Sequence, residues 1–127
     1  MFNSKEEKVA VIIAKKISDK YKCECKLKEF NGNNYLYLFN KKIDLLITVC
    51  DTNKKKCIKI EEILIGEKYR NKGICTKIIQ TIKSVALEYN VTVGLWCEKN
   101  NDKLFKFYNK LGFKHVETII DNWLEFN

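Results

Sequence analysis

Residues 60–79 read IEEILIGEKYRNKGICTKII. The segment from Cys57 to Ile65 is rich in β-branched residues and reads as a strand. Arg70-Asn71-Lys72-Gly73-Ile74-Cys75 reads as the turn that ends it. The period then changes. Ile74, Ile78, Ile79, Ile82, Val85, Ala86 and Tyr89 fall on one helical face, which predicts a helix over about 73–89. Behind it, Val91 to Cys97 is an apolar run with β-branched residues, expected to form a buried strand. Strand, helix, strand is the order of a crossover connection, so the two strands are expected to be parallel.

Upstream of this unit, Ser4-Lys5-Glu6-Glu7 matches a capping box. Ala10, Ile13, Ala14, Ile17 and Tyr21 then form one apolar stripe, predicting a helix over about 4–21. The segment from Lys22 to Phe30 alternates and meets Asn31-Gly32, a strong hairpin signal because both turn residues tolerate positive φ. Residues 35–39 and 43–50 read as two further strands, with a turn at Asp51-Thr52-Asn53. Tyr35, Tyr37 and Phe39 alternate and suit one face of a buried sheet. Downstream, Asn101 and Asp102 suit an N-cap, and Leu104, Phe105, Tyr108 and Leu111 form the stripe of a short helix ended by Gly112. Phe113 to Ile120 and Trp123 to Phe126 read as a closing hairpin. The pattern predicts one α/β (α+β) domain over residues 1–127. Its mixed, mostly antiparallel sheet is flanked by helices and has one parallel strand pair around the long helix.

The chain has 127 residues, enough for one domain that buries about two-thirds of its unfolded surface. A composition of 46% hydrophobic and 31% charged residues excludes a disordered or fibrous chain. No apolar run approaches the ~18 residues of a membrane span. Acids and lysines interrupt the first sixteen residues, where a signal peptide needs a continuous apolar stretch. A cytoplasmic protein with no membrane partner is therefore expected. Six cysteines, none spaced C-x-x-C, and a single histidine, His115, offer little to a zinc ion; no metal site is expected, and the thiols are expected mostly to fill core positions. The net charge of +8 favours anionic partners, although lysine and asparagine are heavily used throughout.

The turn at 70–75 has a chemistry of its own. The first turn of a helix leaves backbone N–H groups unpaired at the positive end of the helix dipole, which makes it a ready anion site. Gly73 would let that backbone approach a pyrophosphate closely, with Arg70 and Lys72 adding charge. A second pattern follows downstream, Asn101-x-x-Leu104-x-x-x-Tyr108-x-x-x-Gly112-Phe113. Together these segments resemble the GNAT superfamily of acyl-CoA-dependent N-acyltransferases. Arg70, Gly73 and Cys75 stand at the places of the family's donor loop, Q/R-x-x-G-x-G/A. Asn101, Tyr108, Gly112 and Phe113 match its later segment, N-x-x-A-x-x-x-Y-x-x-x-G-F. Cys75 replaces the family's Gly or Ala, and Leu104 replaces a small residue. The resemblance covers about residues 57 to 116, and the chain opens with a helix where the family usually has a strand.

The resemblance implies an N-acetyltransferase that uses acetyl-CoA and a small-molecule or peptide amine; a monomer or a homodimer paired through an edge strand near the C-terminus is expected. The strand ending in Ile63-Leu64-Ile65 would splay from the strand at 91–97, and backbone in the gap would pair with the pantetheine arm. Amides of Lys72, Gly73, Ile74, Cys75 and Thr76, with Arg70 and Asn71 in the same loop, would hold the pyrophosphate. Asn101 would face the arm from the far side. Tyr108 matches the family's general acid, and a phenol with pKa ≈ 10 suits protonation of a leaving thiolate; the same residue also fits the helix stripe as packing. Glu61 and Glu62 lie on the strand leading to the donor. Side chains alternate, so only one is expected to face the cleft. Partly buried there, a carboxylate would be raised toward neutrality and could take the acceptor's proton; which of the two does so stays open. Cys97 reads as a packed thiol and His115 as a surface or rim residue. Two other classes remain: a noncatalytic acyl-CoA-binding module, and a basic nucleic-acid-binding domain that stacks bases on aromatics. No nucleic-acid partner is expected. Loss of turnover in Tyr108→Phe separates the first from an enzyme, and a steep salt dependence of binding marks the second.

Overall fold

A computed structural model describes residues 4–52, 55–118 and 121–126. Its first helix, α1 (Lys5–Tyr21), starts at the capping box: Ser4 Oγ accepts from the Glu7 amide and the Glu7 carboxylate accepts from the Ser4 amide, each at 3.1 Å. This closes two of the donors that a helix start leaves open. Four strands follow as an antiparallel meander, β1 (Glu24–Phe30), β2 (Asn33–Phe39), β3 (Ile43–Thr52) and β4 (Lys55–Ile65). The β1–β2 turn places Asn31 and Gly32 at φ 50° and 79°, as a two-residue hairpin turn of the primed type requires.

A 3-10 turn (Glu67–Tyr69) then leads to α2 (Ile74–Tyr89), β5 (Val93–Cys97), α3 (Asp102–Lys110), and the hairpin of β6 (Lys114–Thr118) and β7 (Asn122–Phe126). The strand order is β1-β2-β3-β4-β5-β7-β6. β4 and β5 form the parallel pair around α2, and the other neighbours are antiparallel. This is the expected mixed, mostly antiparallel α/β sheet. β5 begins at Val93, with Val91 already buried before it. β3 runs through Thr52, where a turn was expected. Asn53, Ile119 and Ile120, expected in a turn and at a strand end, lie outside the described residues.

One parity of each central strand feeds the core: Leu36 and Leu38, then Ile43, Leu45 and Ile47, Ile58 and Ile60, Val93, Leu95 and Cys97, and Leu124. The same cluster takes in Val9, Ala10, Ile13, Ala14 and Ile17 of α1, the stripe of α2, and Tyr108 of α3. The three helices therefore cover one face of the sheet. Among the described residues the opposite face carries no helix, an arrangement that a mostly antiparallel sheet tolerates.

That arrangement corrects the reading of the second strand. Tyr35, Tyr37 and Phe39 are half-buried on the bare face, while Leu36 and Leu38 point into the core. Both parities of YLYLF are apolar, so alternation alone cannot choose, and the docked stripe of α1 decides. Lys28 and Lys26 lie over the rings of Tyr37 and Phe39 at 4.5 and 5.4 Å, and Tyr37 Oη donates to Asp44 Oδ1 at 2.6 Å. The cysteines are also less internal than expected. Cys57 and Cys97 are buried, but Cys23, Cys50 and Cys75 are half-buried and Cys25 is exposed. No helix among the described residues is long and apolar enough to cross a membrane.

Candidate active site

β4 and β5 share only two register pairs, Ile58–Val93 and Lys59–Gly94. Beyond them β4 continues to Ile65 and β5 to Cys97, with no ladder between them among the described residues. The strands part as a wedge, and backbone groups along its walls are left to pair with something else. The wide end lies toward the start of α2. There Ile65, Tyr69, Arg70, Asn71, Gly73, Ile74, Cys75, Thr76 and Phe107 line a cavity of about 290 Å³.

The local sequence builds this cavity. Gly73 is the N-cap of α2, at φ 76°, and no side chain caps the helix. A Cβ there would meet open space, but the left-handed backbone favours glycine. Asn71 is left-handed as well, at φ 63°. The first amides of α2 are consequently left for an outside acceptor. Arg70 Nε donates to the Ile65 carbonyl at 3.0 Å and ties the loop back to the end of β4. Lys72 is exposed and is not among the lining residues. Of the expected strand residues, Ile63 and Ile65 are half-buried and Leu64 is exposed on the bare face, opposite Asp44. Tyr69 and Phe107, which sequence reasoning did not single out, close the cavity. Their only signal was position, Tyr69 just before Arg70 and Phe107 just before Tyr108.

Tyr108 is 7% exposed and packs edge-on to Phe107 and Phe113. Burial pushes its phenol up to about 12, with the Cys75 and Cys97 thiols adding to the shift. The phenol thus sits between the first turn of α2 and the end of β5, protonated at every physiological pH. Burial also raises the thiols of Cys75 and Cys97. Both stay neutral near pH 7, so Cys75 brings no charge to an anion at the helix start, and Cys97 is the packed thiol expected. Asn101 is exposed; its Oδ1 accepts from the Leu104 amide at 3.1 Å and caps α3. The Lys83 ammonium donates to the Leu111 carbonyl and lies over the Phe126 ring, holding the end of α3 against α2. His115 is exposed, edge-on to Phe105.

The two glutamates depart from expectation. The register of β3 and β4 jumps from Leu46–Glu62 to Ile47–Ile60, so Glu61 is an extra, bulged residue. The bulge breaks the alternation. Glu62 lies opposite Leu46 on the bare face, and Glu61 lines a basin with that same Leu46. Both carboxylates therefore face the same side, on residues that are exposed, with the Glu61 side chain at 34%. Glu61 Oε2 accepts an ion pair from Lys59 at 2.6 Å. Among the described residues, no group of three His, Cys, Asp or Glu side chains is placed to hold a metal.

Residues 25–113 match the model of the acetyltransferase (GNAT) family. None of the curated proteins matches the chain in sequence. Among solved structures, an acetyltransferase of the GNAT family from Listeria monocytogenes 4b F2365 aligns over 99% of this chain and 92% of its own, at 10% identity and a TM-score of 0.60. An Arabidopsis thaliana protein in complex with the bisubstrate analogue CoA-Ac-MVNAL aligns over 75% of this chain and 72% of its own, at 17% identity and a TM-score of 0.58. The PaiA N-acetyltransferase of Thermoplasma acidophilum, in complex with coenzyme A, aligns at 19% identity and a TM-score of 0.54; the alignment covers 72% of this chain and 58% of PaiA. At these identities the likeness is one of fold.

Proposed function

We propose that this chain, which belongs to the acetyltransferase (GNAT) family, transfers an acetyl group from acetyl-CoA to a primary amine by direct attack. One observation carries the reading: the wedge between β4 and β5 opens onto an uncapped helix N-terminus at Gly73. A donor with an amide-bearing arm and a pyrophosphate uses both features at once. The arm pairs with backbone of Ile63, Leu64 and Ile65. The pyrophosphate takes the amides of Lys72, Gly73, Ile74, Cys75 and Thr76, with Arg70 and Asn71 shaping the loop and Lys72 supplying charge. The Asn101 side chain, beyond its cap bond, faces the arm from the α3 side.

With helices on one side of the sheet, the acceptor reaches the thioester from the bare face. Glu61 or Glu62 takes the ammonium proton, directly or through water. The amine lone pair then forms a C–N bond to the thioester carbon. Collapse of the tetrahedral intermediate breaks the C–S bond, the departing sulfur receives the Tyr108 proton, and the nitrogen gives up its second proton to solvent. A phenol near 12 is a weak acid, but the neutral form that donates is always present. The thiol of released CoA and the amide are the products, and Tyr108 is reprotonated from solvent. No covalent enzyme intermediate is involved.

Calorimetric titration with acetyl-CoA at near-physiological salt, beside Gly73→Asp, tests the donor site. Wild type is expected to bind near 10 μM, about −6.8 kcal/mol, and the aspartate variant to lose binding. An amine-library turnover assay then tests the reaction. Equal affinity in the two proteins would sink the donor assignment, and binding without turnover of any amine would leave an acyl-CoA-binding module in place of an enzyme.

A further inference from the structure

We infer that the acceptor is a monoamine bearing one apolar group, seated in the basin on the bare face beside Glu61; this rests on the acetyltransferase reading above. The basin encloses about 320 Å³ and is lined by Lys28, Phe30, Tyr35, Leu46 and Glu61. It crosses four neighbouring strands of the sheet, and carbon makes up most of its lining. Phe30 is 67% exposed and so presents its ring to whatever enters the basin. The volume is at the small end of the ~300–1,000 Å³ typical of ligand pockets, so it fits one compact group better than a long chain.

Charge sets the orientation. Glu61 is the bulged residue of β4, just past the last pair that β4 makes with β5. It thus lines the basin and stands where the two strands begin to part. An ammonium at Glu61 puts its nitrogen toward the donor and its apolar group over Phe30, Tyr35 and Leu46. The same face also carries fixed cations: Lys28 at the basin wall, Lys26 beside it over Phe39, and Lys59 on Glu61. A second ammonium on the acceptor would lie among these lysines with only one apolar wall to meet, so diamines and polyamines are disfavoured. Specificity then comes from repulsion as much as from fit.

Steady-state kinetics with isoamylamine, phenethylamine, methylamine and spermidine tests this. The two apolar monoamines are expected to exceed methylamine and spermidine in kcat/KM by about 10-fold or more, the scale of a modest apolar contact. Phe30→Ser should raise KM for phenethylamine about 10-fold and flatten the ranking. Lys28→Glu should raise kcat/KM for spermidine about 10-fold. Leu27→Ser, on the same strand but the opposite face, should change neither ratio. Each variant is first titrated with acetyl-CoA, and unchanged affinity certifies its fold. Preference for spermidine or methylamine in wild type overturns the inference. So does an unaltered ranking in both Phe30→Ser and Lys28→Glu, or acetyl-CoA binding without turnover of any amine. Failure of wild type to bind acetyl-CoA is a different result, and it removes the acetyltransferase reading itself.

Discussion

Tyr108 is the proposed general acid and also part of the packing, and the two roles separate experimentally. Tyr108→Phe keeps the ring against Phe107 and Phe113 and removes only the proton. Turnover is expected to fall about 100-fold, the lower range for losing a general acid, with acetyl-CoA affinity unchanged in calorimetry. Unchanged turnover would mean that the ring alone matters. The same phenol predicts an alkaline limit to stability. Its folded value, about 12, lies above the ~10 of an unfolded tyrosine. The stability it contributes is therefore whole below pH ~10 and is lost as pH rises toward 12, by about 2 kcal/mol. Denaturant midpoints of wild type should fall over that window more steeply than those of Tyr108→Phe, and parallel curves would refute the assignment. Gly94 makes a purely structural counterpart. A Cβ there would stand 2.2 Å from the fully buried ring of Trp123. Gly94→Ala should lower stability by about 1–3 kcal/mol, read as a lower thermal midpoint.

At the scale of elements, the capping box offers the plainest test. Ser4→Ala removes the bond to the Glu7 amide and should cost about 1 kcal/mol, measured by chemical denaturation; a change within error would show the box to be redundant. This box, the Asn31-Gly32 hairpin and the stripe of α2 were all legible in the sequence, because each is set by residues within one or two turns of chain. The bulge at Glu61 was not. Inserting one residue into a strand leaves no mark in composition, and the register that reveals it is a relation between β3 and β4. The alternation rule therefore separated Glu61 from Glu62, and the structure puts them on one face. The exposure of both followed from the same missing fact. In β2, the choice between the leucines and the aromatics depended on which parity met α1, a contact between two elements that the pattern of β2 alone does not record.

The family match begins at residue 25 and leaves α1 outside it, yet the whole molecule is built around that helix. Among the described residues the sheet has helices on one face only, so the burial of Leu36, Leu38, Ile43, Leu45 and Ile47 depends on what α1 lays over them. Val9, Ala10, Ile13, Ala14 and Ile17 are all buried, the two isoleucines completely. Three branched side chains at about 1.5–3 kcal/mol each give roughly 5–9 kcal/mol, before the strand residues they cover are counted. A domain of this size is stable by about 5–15 kcal/mol in all. A chain shortened to residues 25–127 keeps the donor loop, α2, α3 and the whole wedge. It is nevertheless expected to lose cooperative folding, because the removed helix is worth as much as the total. The check is a thermal melt followed by near-ultraviolet circular dichroism through Trp96 and Trp123. The 127-residue chain should melt in one transition, and the shortened chain should show no transition. A cooperative melt of the shortened chain, with acetyl-CoA raising its midpoint, would show that the matched segment folds alone and that α1 is an addition to it.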